Sequence, residues 1–108
     1  MFNHVALSGR LSQNPDVRNT YEGILVAHFE LAVKAADQGK NIPPDYIPIV
    51  CLGEQAQYAA QYLHKGDLVH ISGKITTREY TGRDGKLYKA VEITPLFFMS
   101  GADMGRDK

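Results

Sequence analysis

The chain has 108 residues, room for one domain and not for a second globular unit. Hydrophobic residues make up 44% and charged residues 22%, a balance that excludes a disordered or fibrous chain, and the single cysteine, Cys51, excludes an internal disulfide and fits a reducing, cytoplasmic setting. Twelve Lys+Arg cancel twelve Asp+Glu, so an anionic partner has to be recognised by a local cluster of cations and not by overall charge.

The opening MFNHVALSGRLS has no charged region leading into an apolar stretch, and no apolar run approaches the roughly 20 residues that span a bilayer. The sequence therefore predicts a soluble protein that is neither exported nor membrane-borne. Over residues 2–11, Val5, Leu7, Gly9 and Leu11 alternate with His4, Ala6, Ser8 and Arg10, the period-2 pattern of a half-buried strand. Asn14-Pro15-Asp16 then turns the chain. A second strand over 24–34 directs Leu25, Ala27, Phe29, Leu31 and Val33 inward and His28, Glu30 and Lys34 outward. Residues 35–44, AADQGKNIPP, read as a loose loop. A third strand, DYIPIVCL at 45–52, sets Ile47, Ile49 and Cys51 on one face and Tyr46, Pro48, Val50 and Leu52 on the other. Pro48 has no N–H to give a ladder, so either a bulge or a free edge is expected there.

Residues 54–64 change period: Ala56, Ala59, Ala60 and Leu63 recur three and four apart, predicting a helix that Lys65-Gly66 ends. A long fourth strand over 67–81 places Val69, Ile71 and Ile75 inward and Lys74, Thr76, Arg78 and Tyr80 outward, with a bend or bulge at Gly73. Residues 82–86 form a hairpin tip and 87–98 the last strand. One short helix between strands 3 and 4 of five is the order of an all-β OB-fold barrel, which presents a sheet face to oligonucleotides or oligosaccharides. The division expected is an OB domain at 1–99 and a short flexible tail at 100–108.

Nothing in the pattern points to catalysis. Cys51 shares a face with Ile47 and Ile49 and reads as a core thiol, while His4, His28, His64 and His70 are scattered without ligand spacing and no phosphate-binding glycine motif occurs. No cofactor or metal is implied. The outward face of the fourth strand is the most informative feature: Lys74, Thr76, Arg78 and Tyr80 put two cations and a ring on one surface. A single nucleic-acid strand needs that combination, because cations follow phosphates and rings stack on bases. An ordinary solvated strand face has the same polarity and stays open as a reading of the pattern. Tyr46 and Leu52 extend the surface if both strands turn the same face outward. Tyr88 with Lys86, Arg83 at the tip and Lys34 at the end of the second strand complete the candidate set. Tyr58 and Tyr62, one helical turn apart, read as helix packing.

The stretches FNHVALSGRLSQNPDVR, VAHFELAVK, LGEQAQYAAQYLHKGDLVHISGKITTREYTGRDGK and AVEI, in this order, resemble the bacterial-type single-stranded-DNA-binding proteins over nearly all of residues 1–99. The resemblance implies an OB fold, assembled as a homo-oligomer and usually a tetramer, that coats single-stranded DNA with little sequence preference during replication, recombination, repair or DNA uptake. Position by position it implies stacking roles for Tyr46, Leu52 and Tyr80 and basic-strand roles for Arg10, Thr76 and Arg78. The chain departs from the family pattern in having no tryptophan, in Leu52 where a ring is usual, in Pro48 where a cation is frequent, and in a loop around Asp37 that offers no ring. The implied platform is weaker, because leucine gives apolar contact without stacking. The ending SGADMGRDK lacks the acidic, hydrophobic tip through which longer members recruit partners, so a short form without tail-mediated recruitment is expected. A dimeric primosomal replication protein of the same fold, and an OB interaction module that binds no DNA, stand as the alternatives.

Overall fold

The computed structural model describes residues 1–34 and 42–100. In chain order these form β1 (Val5–Leu11), β2 (Asp16–Asn19), β3 (Leu25–Val33), β4 (Asp45–Leu52), α1 (Glu54–Tyr62), β5 (Leu68–Thr81) and β6 (Leu87–Ser100). Antiparallel pairing joins β1 to β5, β5 to β6, β4 to β3 and β3 to β1, and a parallel contact between Ile49 and Ile93 joins β6 to β4. The ring is closed, and it is the expected OB barrel with its helix between the third and fourth strands of the ring. The short β2 is an addition. It lies along the first part of β3, from Asp16 opposite His28 to Asn19 opposite Leu25, while β1 takes the far end of β3 at Leu31 and Ala32. From sequence this stretch follows a turn and has no strand signal, because all four of its residues are exposed and no alternation marks it.

Alternation decides what the ring encloses. Leu11, Phe29, Leu31, Ile49, Cys51, Val69, Ile71, Ile93 and Phe98 fill the interior, and α1 adds Ala56 and Ala59 to the same core. The helix stops at Tyr62, two residues short of the expected end, where Leu63 turns extended at φ −103° and ψ 135°. Its side chain is thereby buried in the core. Closure also needs backbones to come close. A Cβ on Gly9 would lie 2.4 Å from the Ala32 carbonyl oxygen, next to the point where β1 meets β3.

Pro48 produces no bulge: the β3–β4 register runs unbroken from Val26 opposite Leu52 to Val33 opposite Asp45, with Pro48 facing Glu30. The Glu30 carbonyl accepts from the Ser12 N–H at 3.0 Å. The backbone polar groups of Glu30 therefore point away from β4, and its partner sits where the ladder asks for no donor.

Gly73 marks the place where the ribbon leaves the barrel. Ser72 faces Phe97 and Gly73 faces Pro95, so Leu96 is an extra residue on β6. The β1–β5 ladder ends at the same point, with Val5 opposite Gly73. Past the contact of Ile93 with β4, β5 and β6 run on as a two-stranded ribbon to the turn, where Gly82 N–H donates to the Lys86 carbonyl at 2.9 Å. This corrects the expectation for Ile75. It lies on the side opposite Arg78, as alternation requires, but it is 44% exposed, since β1 pairs with β5 no further than Gly73 and leaves that edge of β5 without a strand. Asn3 holds the ribbon's base instead: its Nδ2 donates to the Ile75 carbonyl at 2.8 Å and its Oδ1 accepts from the Ile75 N–H at 2.9 Å.

β6 runs to Ser100, one residue into the stretch expected to be loose. The rest of that expected tail, 101–108, and the loop positions 35–41 around Asp37 lie outside the described residues. No helix among the described residues is long and apolar enough to cross a membrane.

Candidate nucleic-acid interface

Residues directly opposite one another in an antiparallel pair share a face of the sheet. Three rows follow from the registers: Arg10, Ala32 and Tyr46; Asp16, His28 and Val50; Arg18, Val26 and Leu52. On the ribbon the same rule pairs Lys74 with Thr94, Thr76 with Glu92, Arg78 with Ala90 and Tyr80 with Tyr88. The parallel pair of Ile49 with Ile93 turns both side chains into the core, so their neighbours on β4 and β6 turn outward together and the two arrays become one surface. A shallow depression of about 440 Å³ marks the junction, lined by Arg18, Val26, His28, Val50, Leu52 and Arg78 among others.

The ribbon side of this surface is ordered by a chain of contacts. Arg78 Nε donates to both Glu92 carboxylate oxygens, at 3.1 and 3.2 Å, and its Nη2 donates to one of them at 2.9 Å. The Glu92 side chain is only 9% exposed, against 50% for Arg78, so the carboxylate lies beneath the guanidinium and the guanidinium faces solvent. The Arg78 Cζ lies 5.4 Å from the centre of the Tyr80 ring, within cation–π range. Tyr80 in turn stacks on Tyr88, centres 5.7 Å apart and planes at 24°. At the far end the Tyr88 hydroxyl donates to the Asp84 carboxylate. That bond, with a second from the Lys86 N–H, holds the Asp84 carboxyl below its ordinary range, and the same carboxylate raises the Tyr88 phenol above its own.

The structure gathers most of the sequence-derived candidates. Arg10, Tyr46, Leu52, Lys74, Thr76, Arg78, Tyr80 and Tyr88 occupy one continuous face, with Tyr46 and Leu52, near the two ends of β4, 54% and 51% exposed. Besides Arg78, Tyr80 and Tyr88, two more of them are already engaged. Arg10 Nη1 donates to the Gly66 carbonyl at 3.0 Å, and a 3.0 Å hydrogen bond joins the Thr76 and Thr94 hydroxyls. Arg83 and Lys86 are exposed at the tip, and Lys34 is exposed one residue beyond β3, past the last rung of its ladder. Sequence reasoning missed Arg18, which β2 brings to the depression, and Glu92. The signal for Glu92 was present in the alternation of β6, which puts it on the side of Tyr88 and Ala90. Tyr58 is a packing residue as expected, stacked on Phe98 at 5.4 Å and 18°. Burial pushes the Cys51 thiol up to about 12, so it is protonated at neutral pH and is no nucleophile.

The sequence profile of the single-strand binding protein family matches residues 2–96. The chain belongs to this family. The matched stretch contains the whole paired face, from Arg10 to Thr94. Among curated proteins the chain is similar to a single-stranded DNA-binding protein of Bacillus cereus, 43% identical over 96 residues that cover 86% of this chain and 56% of the relative. A protein of the same description from Oceanobacillus iheyensis is 39% identical over 95 residues, covering 86% of this chain and 59% of the relative. The single-stranded DNA-binding protein B of Bacillus subtilis is 41% identical over 95 residues, covering 86% of this chain and 84% of the relative. This family member therefore spans little more than half the length of the first two relatives and most of the third.

Proposed function

We propose that the chain binds single-stranded DNA with little sequence preference and shields it during replication, recombination, repair or DNA uptake. The observation that carries the reading is the Arg78–Tyr80–Tyr88 array, continuous with a mixed polar and apolar sheet face on which Leu52 and Tyr46 are exposed. Unpaired bases stack on such planes whatever their identity, whereas bases held in a duplex have no free face to offer. In this reading Tyr46, Leu52, Tyr80 and Tyr88 receive bases. Arg10, Lys34, Lys74, Arg83 and Lys86 lie along the phosphates, and Thr76 supports the floor between them. The names of the relatives favour the same substrate.

The working form is a homo-oligomer, a tetramer built from dimers. Its support is the free edge of β1: among the described residues β1 pairs with β3 only at Arg10 and Leu11, so the stretch Val5 to Gly9 offers an open ladder on the side away from β5. Outward residues Ala6 and Ser8 carry no charge to discourage pairing with a second copy. Titration of labelled oligo-dT and of a duplex of equal length, at low salt and micromolar protein, tests the function. Binding of the single strand in clear preference to the duplex is the expected result, and no binding of oligo-dT refutes it. Light scattering on the same preparation tests the assembly, which a stable monomer would overturn.

A further inference from the structure

Resting on the reading of this face as a surface for single-stranded DNA, we propose that Glu92 is a positioning residue that converts Arg78 from a phosphate-binding cation into a stacking plane. Three observations lead there. First, Glu92 is the one buried charged residue among the described residues, and it lies on a face whose proposed ligand is an anion. A carboxylate there opposes phosphate unless its charge is spent within the protein, and the fork of contacts from Arg78 Nε and Nη2 spends it. Second, that fork fixes the plane of the guanidinium and leaves Nη1 free of the pair, with Arg78 half exposed and set beside Tyr80. Third, the array is braced at both ends by carboxylates, Glu92 on Arg78 and Asp84 on the Tyr88 hydroxyl, so its planes are held before any base arrives.

The electrostatic consequence differs from that of an ordinary basic residue. A neutral Arg78–Glu92 pair displaces no counterion when DNA binds, so Arg78 contributes affinity through its plane and adds nothing to the salt dependence. The phosphate-following charge then comes from Arg10, Lys34, Lys74, Arg83 and Lys86. A lysine at 78 would keep the charge and lose both the fork and the plane.

Salt-dependent titration of oligo-dT separates the two roles, because each phosphate neutralised on a single strand contributes about −0.7 to the slope of log K against log salt. The double variant Arg78→Gln/Glu92→Gln removes both charges together and leaves no unpaired buried carboxylate. We expect it to bind several-fold more weakly with an unchanged slope. Glu92→Gln alone frees the cation and should steepen the slope by about 0.7, with tighter binding at low salt. Arg78→Lys should weaken binding at the wild-type slope, and thermal melting of each variant shows that the fold is retained. A double variant whose slope is shallower by about 0.7 would make Arg78 a phosphate contact and overturn the proposal, as would an unchanged slope in Glu92→Gln. If the wild-type chain binds no oligo-dT, the functional reading falls and this inference with it; if it binds and only the slopes disagree, this inference alone fails.

Discussion

Replacing Tyr80 by alanine tests the stacking surface most directly, because the ring touches both other members of the array. One of its neighbours is Tyr88, with centres 5.7 Å apart, and the other is the Arg78 guanidinium, 5.4 Å from its own centre. Loss of a single base-stacking ring costs about 1–3 kcal/mol of binding. Removing the ring also takes away the contact that Arg78 and Tyr88 each make with it, which places the expected loss in the upper half of that range. At about 1.4 kcal/mol per factor of ten this is roughly a 30- to 150-fold weaker Kd for oligo-dT. The fold should hardly notice. Tyr80 is 45% exposed, so truncation forfeits an aromatic contact of about 0.5–1 kcal/mol and lowers the melting temperature by a few degrees. Tyr80→Phe keeps the plane and should retain most of the affinity. Fluorescence anisotropy with labelled oligo-dT and thermal melting of the same three preparations give both quantities. If alanine and phenylalanine bind equally well, the ring is not a stacking surface and the reasoning is wrong; if alanine unfolds the protein, the assignment of faces on β5 is wrong.

The remaining expectations concern the scaffold and the tip. Ile75→Ala should cost only about 1 kcal/mol, far from the roughly 2–5 kcal/mol of a buried site, and should leave DNA binding unchanged, since the side chain is 44% exposed on the opposite side of the ribbon; a loss above that, by denaturant melting, would place it in a core. Gly73→Ala should destabilise by about 1–3 kcal/mol, because its Cβ would meet the Thr94 carbonyl oxygen at 2.3 Å and backbone has to move. Cys51, with its pKa near 12, should resist alkylation in the native protein at neutral pH and react once the chain is unfolded; rapid native labelling would contradict its burial. The Asp84 carboxyl should titrate below 3.8, so that the Tyr88–Asp84 contact is intact above that pH and lost as the pH falls through the lowered value. Tyr88→Phe should bring the Asp84 titration, followed by NMR, back toward 3.8, and an unmoved titration would show that the hydroxyl is not its partner.

Local pattern carried much of this protein. Alternation along single strands separates Leu25, Ala27, Phe29 and Leu31 from His28 and Glu30, and puts Thr76, Arg78 and Tyr80 on one side of β5, because a strand's period of two follows from its backbone alone. The change to helical spacing at Ala56 and Ala59, and the glycine-bearing tip after Thr81, are equally local. What a single strand lacks is knowledge of its neighbours. Register and ring closure alone decide that the Tyr46–Leu52 face of β4 runs on into the ribbon, through one parallel contact between Ile49 and Ile93. They decide that β2, with no alternation of its own, carries Arg18 to the junction. They also leave Ile75 uncovered, since burial depends on the strand or helix that packs over a side chain and β1 pairs with β5 no further than Gly73. The pairing of Arg78 with Glu92 is of the same kind: the two residues are 14 apart in sequence, and only the β5–β6 register puts the carboxylate beneath the guanidinium.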